Sequence, residues 1–213
     1  MVRTVLLSTA YLAPVEYYYQ MCNHPQAVIE AHCNYVKQTY RNRCVIASAN
    51  GLQTLSIPIV KPDSPKCLTK DIRIAEHGNW RHLHWNAIVS AYNSTPFFEF
   101  YEDDFRPFYE KPAGFLFDFN ERLRMLICTL LDVSPNVSYS DEYIFSPQPD
   151  VLDLREAIHP KKEAATQNLR PYYQVFETKH GFQSNLSIID LLFNMGPEAG
   201  LCTAHILKRL SPD

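Results

Sequence analysis

The segment from Glu30 to Cys44, EAHCNYVKQTYRNRC, is dense in ionisable and hydrogen-bonding side chains. It lies between two short apolar runs, AVI and CVIASA, which are typical of buried strands. If the first strand continues through Glu30 and His32, their spacing places both side chains on one face, about 6.5–7 Å apart. A carboxylate beside an imidazole orients the ring and tunes its basicity, so we expect Glu30 or His32 to supply a catalytic base.

The same segment is rich in cations. Lys37, Arg41 and Arg43 share one parity, so an extended chain would present all three on one face. Such a face suits a carboxylate, a phosphate or a nucleotide diphosphate, which arginine binds bidentately. Neighbouring amides are expected to orient substrate hydroxyl groups: Asn34, Gln38 and Asn42.

A structural alternative exists for this segment. Charges at the mouth of a hairpin commonly form a solvated rim or salt bridges that fix the strand ends. We favour function for the segment as a whole because polar groups packed this densely beside core strands need partners. The enzymatic hypothesis requires the cations to converge on an open pocket, and it fails if they point into water or are all paired with internal acids.

Two other candidate sites are weaker. The run EHGNWRHLHW holds His77, His82 and His84, but His84 falls on the apolar stripe of its helix and His82 points elsewhere. Because two helical metal ligands normally lie three or four residues apart, we expect a core role for His84 and no metal site. Cys33 follows His32 directly, and adjacent strand residues face opposite ways, so no Cys–His dyad is expected.

Composition limits the function classes. The 213 residues are 46% hydrophobic and 20% charged, as in globular proteins, and the formal net charge of -3 gives no reason to expect nucleic-acid binding. Six glycines make a glycine-rich phosphate loop unexpected. No run approaches the roughly 20 apolar residues of a membrane helix, and VLLSTAYL, broken by Pro14, is too short for a signal peptide. The scattered cysteines are expected to be reduced, and the protein is predicted to be cytoplasmic.

Hydrophobic patterns predict strands first and helices later. Asn50-Gly51 between strand-like runs predicts a hairpin with a type I′ turn, with the side chains of LSIPI alternating between two faces. The other predicted elements are strands at Thr4–Leu12, Gln26–Ala31, 71–74 and 172–176, and helices after Pro14, Asn79, Thr95, Gly114 and Ser187. Ser187 and Asp190 are expected to form a capping box. We therefore predict a single α/β (mixed α+β) domain over residues 1–213, a mixed sheet with an Asn-Gly β-hairpin, covered by C-terminal helices.

Several motifs resemble one known family. AYLAPVEYYYQM, VIEAHCNYVKQTYRNRCVI, LSIPI, LHWNAIVSAYNSTPFFEFYEDDFRPFYEK and NLSIIDLLFNMGPEA occur in order and resemble the WbqC-like family of bacterial proteins. The likeness covers nearly the whole chain and is weakest over residues 133–170. The family's polar block and N-terminal motif correspond here to Lys37, Gln38, Arg41, Asn42, Arg43, Tyr11 and Pro14. Many relatives have an acidic pair where this chain has Glu30 and His32.

The resemblance implies a role in O-antigen or other surface-polysaccharide biosynthesis. It implies transfer of an amino acid or acyl group from an activated anionic donor to a nucleotide-linked sugar, with no cofactor. The ligand would be a small molecule such as a nucleotide-sugar. The resemblance leaves the oligomeric state of the protein open. One alternative is a non-catalytic saccharide- or nucleotide-binding or scaffold protein. Another is an adaptor that uses exposed aromatic residues around 96–109.

Overall fold

The computed structural model describes residues 2–62, 64, 66–164 and 171–204. The strands are β1 (Thr4–Ser8), β2 (Gln26–Glu30), β3 (Arg43–Ser48), β4 (Gly51–Ser56), β5 (Val137–Tyr139) and β6 (Val151–Asp153). The α-helices are α1 (Val15–Asn23), α2 (Trp80–Tyr92), α3 (Phe98–Glu110), α4 (Leu116–Leu130), α5 (Glu177–His180), α6 (Ile188–Met195) and α7 (Ala199–Ala204). Short 3-10 helices cover Thr69–Asp71 and Gly196–Glu198. The predicted α/β class is confirmed.

Four strands form a parallel sheet in the order β5-β2-β1-β6. The central strand β1 carries Val5, Leu6 and Leu7, which are fully buried, because a parallel strand is covered on both faces. Helix α1 makes the crossover between β1 and its parallel neighbour β2. All four strands therefore end at the same edge of the sheet.

The order of the strands reverses beside β1. From β1 the chain adds β2 and then β5 on one side, and β6 later pairs with the other side of β1. The carboxyl ends of β1 and β6 thus lie at a topological switch point, the place where open α/β sheets leave a crevice for ligands.

Strands β3 and β4 form the predicted hairpin, as a separate antiparallel sheet rather than part of the main one. Ser48 pairs with Gly51, and Gly51 has the positive φ of 104° that glycine tolerates. Ala49 and Asn50 do not have positive φ, so the turn is not the predicted type I′. The alternation predicted for LSIPI is confirmed at Leu55 and Ile57, which are buried.

Three local predictions are wrong. Residues 71–74 contribute only isolated bridges, among them Arg73 with Phe115, and the stretch 172–176 is not a strand. Ser187 precedes α6, but its hydroxyl donates to the Leu12 carbonyl and makes no cap. Asp190 points into the core, where the hydroxyls of Tyr92 and Tyr172 and the amide of Gln174 donate to it.

The helices build an aromatic core. Phe193 of α6 packs edge-on against Phe98 and Phe105 of α3. Most aromatic residues of α3 face this core, whereas Phe100 is 75% exposed. Within the described residues, no helix combines the length and the apolarity needed to cross a membrane.

Tyr11, which follows β1, lies in a buried hydrogen-bond network. Its hydroxyl is hydrogen-bonded to Nδ1 of His84 in α2 at 3.0 Å and to the hydroxyl of Tyr109 in α3 at 2.8 Å. Burial lowers the pKa of His84 to about 4, although a hydrogen bond with the Ser56 backbone acts in the opposite direction. His84 is therefore a neutral core histidine, as predicted, and it connects the end of β1 to the helices.

The low pKa of His84 predicts a pH dependence of stability. Folding keeps the ring neutral, so its contribution is complete above the ordinary value of 6.5 and is lost as the pH falls toward 4. The loss amounts to about 3 kcal/mol. We expect urea denaturation of His84→Gln to show a smaller fall in the free energy of unfolding between pH 6.5 and 4 than wild type. Parallel curves for the two proteins would contradict this assignment.

Candidate functional site

A pocket of about 320 Å³ opens where the parallel strands end. Three of the segments that line it follow strands of the sheet: Cys33 comes after β2, Tyr143 after β5, and Arg155 after β6. The lining residues are Cys33, Arg41, Tyr143, Asp153, Arg155, Glu156, Ala157 and Lys162. A narrow crevice of about 10 Å³, enough for one water molecule, shares Arg41 and Arg155 with the pocket and runs between β1 and the segment after β6.

Arg41 is the buried cation of this pocket, with 2% of its side chain exposed. Its Nη2 donates to the Ser8 hydroxyl and to Oε1 of Glu156, both at 2.9 Å, and lies 3.7 Å from Sγ of Cys33. Nη1 makes a longer contact of 3.4 Å with the Thr39 hydroxyl. Its Nε–H is buried and has no acceptor among the described residues. Arg41 therefore keeps donor capacity that the surrounding protein does not use.

Glu156 is the carboxylate that pairs with Arg41. Its side chain is 59% exposed, so most of it faces solvent at the mouth of the pocket. The Nζ of Lys162 donates to the backbone carbonyl of Glu156 at 2.8 Å. This contact brings a further cation to the same rim.

Arg155 is held by two carboxylates and a ring. It donates bidentately to Asp153, at 3.0 and 2.7 Å, and its Nη1 donates to Glu30 at 3.0 Å. The guanidinium also stacks on Tyr143, 5.0 Å from the ring centroid. Burial acts to raise the pKa of Asp153, but the hydrogen bonds from Arg155 outweigh it and hold that pKa below its ordinary value.

Glu30 lies behind Arg155 and is fully buried. Oε1 accepts from the Ser140 hydroxyl at 2.6 Å and from the His32 backbone N–H at 2.9 Å. Oε2 accepts from the Ile144 N–H at 3.1 Å and from Arg155 at 3.0 Å. Glu30 therefore ties together the chain segments that follow β2, β5 and β6.

Residues 30–43 do not form the extended strand that would place Glu30 with His32, and the three cations with one another, on one face. Strand β2 ends at Glu30, and residues 31–42 form bends and turns, with Gln38 at a φ of 61°. The carboxylate of Glu30 binds the backbone of His32, so the two side chains do not share a strand face. Nε2 of His32 is instead 2.9 Å from Nζ of Lys70, and its Nδ1 is buried with no partner in the part of the chain that the structure describes.

The turns also disperse the predicted substrate-binding residues. Of the three cations, Arg41 lines the pocket, Lys37 is exposed, and Arg43 is half-buried on β3. Asn34 and Gln38 are exposed as well, and the buried Asn42 donates to the Ile57 carbonyl. Tyr11 belongs to the core network described above. The structure therefore does not bring the predicted set together, and Arg41 is its member at the pocket.

The segment that supplies most of the pocket contains none of the predicted site residues. Residues 151–162, VLDLREAIHPKK, place Asp153 at the end of β6 and Arg155, Glu156 and Lys162 in the segment that follows it. The available signal was a dense run of charges following a short apolar run, the same pattern that drew attention to residues 30–44. This run lies within residues 133–170, where the family resemblance is weakest.

The WbqC-like protein family model matches residues 9–166. The chain belongs to the WbqC-like family. The matched range contains every residue that lines the pocket, from Cys33 to Lys162. The pocket of this WbqC-like protein therefore lies within the part of the chain that the family shares.

A relative from Mycobacterium tuberculosis (strain ATCC 25618 / H37Rv), the uncharacterized protein Rv1507c, is 28% identical to this WbqC-like protein over 200 residues. The similarity covers 81% of this chain and 84% of the relative. No solved structure matches the chain.

Glu30→Gln tests whether Glu30 is structural. The substitution removes one member of a buried ion pair, so we expect a loss of about 3–5 kcal/mol in the free energy of unfolding. Chemical denaturation measures it, with Glu142→Gln on the exposed neighbouring loop as the matched control. If Glu30→Gln is as stable as Glu142→Gln, the structural role is wrong and the predicted catalytic role regains support.

Proposed function

We propose that this WbqC-like protein is a cytoplasmic transferase of surface-polysaccharide biosynthesis. In this proposal an activated anionic donor binds in the pocket, and an amino-acid or acyl group passes to a nucleotide-linked sugar. The observation that carries the proposal is Arg41, a buried guanidinium that lines a pocket at the switch point of a parallel sheet. Its Nε–H has no acceptor among residues 2–62, 64, 66–164 and 171–204.

The burial of Arg41 supports the proposal that the donor is an anion. A buried guanidinium is unfavourable unless acidic or other polar groups hydrogen-bond to it. Here the acidic partner is the largely exposed Glu156, which is easily replaced. A phosphate or carboxylate oxygen entering the pocket can accept from the unused donors of Arg41, in the bidentate geometry that arginine favours.

The other pocket residues support a small-molecule substrate. A volume of about 320 Å³ holds the charged part of a donor, while Tyr143 and Lys162 at the rim can contact the rest. Both carboxylate oxygens of Glu30 already accept hydrogen bonds, so we assign the role of proton acceptor to Glu156. His32 does not line the pocket.

A non-catalytic binding protein is the second candidate. It is favoured by the same finding at Glu30, because the predicted base has no free oxygen. A saccharide- or nucleotide-binding protein would use the pocket without a base. The two candidates differ in turnover: only the transferase should consume donor when both substrates are present.

A thermal-shift screen tests the proposed ligand class. Binding to the native state must raise the melting temperature, and we expect nucleotide-sugars, acyl or aminoacyl phosphates or nucleotides to do so. Arg41→Lys and Lys162→Ala should each weaken binding about tenfold or more, because a hydrogen bond to a charged group contributes about 1.5–3 kcal/mol.

Lys161→Ala is the matched control, since Lys161 is also exposed but does not line the pocket. It should bind like wild type. The exposed Lys162 keeps the test valid even if Arg41→Lys destabilises the fold. A flat response of wild type to the whole panel, or equal losses in Lys161→Ala and Lys162→Ala, would count against the proposal.

A further inference from the structure

We propose that Glu156 determines which anions the pocket accepts. In this structure its carboxylate holds the anion position on Arg41, and a ligand binds by displacing it. The inference rests on the proposed function, because it assumes that the pocket takes an anionic ligand. It assigns to Glu156 a role in specificity that the sequence did not suggest.

The asymmetry of the ion pair supports displacement. Arg41 is 2% exposed and is fixed by the Ser8 hydroxyl, whereas Glu156 is 59% exposed. When the pair separates, Glu156 can rotate into water at little free-energy cost, but Arg41 cannot follow it out of the core. A ligand that takes the place of Glu156 thus leaves no charge buried and unpaired.

Glu156 also sets a minimum affinity for Arg41 that a ligand must exceed in order to bind. A carboxylate on the same chain competes with an effective concentration on the order of millimolar, so a single free carboxylate gains little by replacing it. Besides Arg41, the pocket has an exposed ammonium at Lys162. A multiply charged group can use more of these cations at once, so we infer that the preferred ligand carries a phosphate or diphosphate rather than a lone carboxylate.

The hydrogen bonds of the charged lining residues show which of the two acids is more easily displaced. The pocket is lined by Arg41, Arg155 and Lys162 together with Asp153 and Glu156, and Asp153 is held by two hydrogen bonds from Arg155. Glu156 makes a single hydrogen bond to Arg41 at 2.9 Å, so it is the weaker of the two acidic contacts. Glu156 is therefore the carboxylate that an incoming anion displaces.

Titration of wild type and Glu156→Gln with sodium acetate, inorganic phosphate and pyrophosphate tests the inference. Isothermal titration calorimetry at constant ionic strength gives the affinities. Wild type should bind pyrophosphate more tightly than phosphate and should not bind acetate measurably. If Glu156 holds Arg41 for about nine-tenths of the time, Glu156→Gln should bind phosphate and pyrophosphate about tenfold more tightly and should acquire acetate binding.

Glu163→Gln is the matched control, because it removes the same charge from an exposed position on the same segment. It should match wild type within about twofold, since exposed charges at a distance are screened. Equal affinities in wild type and Glu156→Gln, or equal gains in both variants, would overturn the role of Glu156. If neither wild type nor Glu156→Gln binds any of the three anions, the proposed function fails instead.

Discussion

The buried ion pair between Glu30 and Arg155 is the interaction on which the candidate site depends. The two residues are 125 positions apart in sequence, and their pairing at 3.0 Å joins the end of β2 to the segment after β6. Burying two charges is unfavourable unless further hydrogen bonds offset the loss of water. Ser140, Ile144 and Asp153 supply those bonds, so a single polar network fixes three chain segments at the same edge of the sheet.

This network separates supporting residues from residues open to a ligand. Glu30 and Arg155 are largely saturated by internal partners, and they hold the walls in place. Arg41 and Glu156 both line the pocket and are hydrogen-bonded to each other, and Glu156, which is 59% exposed, can leave that pair. Because the pocket contains acidic and basic groups, we propose that an anionic ligand competes with Glu156 for Arg41.

Local patterns in the sequence were sufficient for much of the fold. Asn50-Gly51 between strand-like runs predicted the hairpin, and three-four spacing predicted α2, α3 and α4. The path after Glu30 could not be derived in this way. Strand β2 ends at Glu30, whose carboxylate accepts from the His32 N–H, and its other partners Ser140 and Arg155 come from segments more than a hundred residues later. Tertiary hydrogen bonding overrode the local preference for extension.

The dependence on distant segments also explains which residues of the pocket could be predicted. Arg41 was identified because its own segment is dense in charge, whereas Arg155 and Glu156 acquire meaning only when β6 pairs beside β1. Strand pairing over such distances leaves no local signal in one sequence. The polar segment therefore indicated one residue of the pocket, Arg41, but not which of its other side chains lie elsewhere.

The most direct test of the central claim follows the Nε–H group of Arg41 by NMR. In a ¹H–¹⁵N correlation spectrum of arginine side chains, titration with pyrophosphate should shift the Arg41 Nε–H signal. The Nε–H of Arg124, which donates to Glu121 at 2.7 Å elsewhere in the core, should stay in place. A spectrum in which Arg41 does not move, or moves no more than Arg124, would contradict the assignment of this pocket as an anion site.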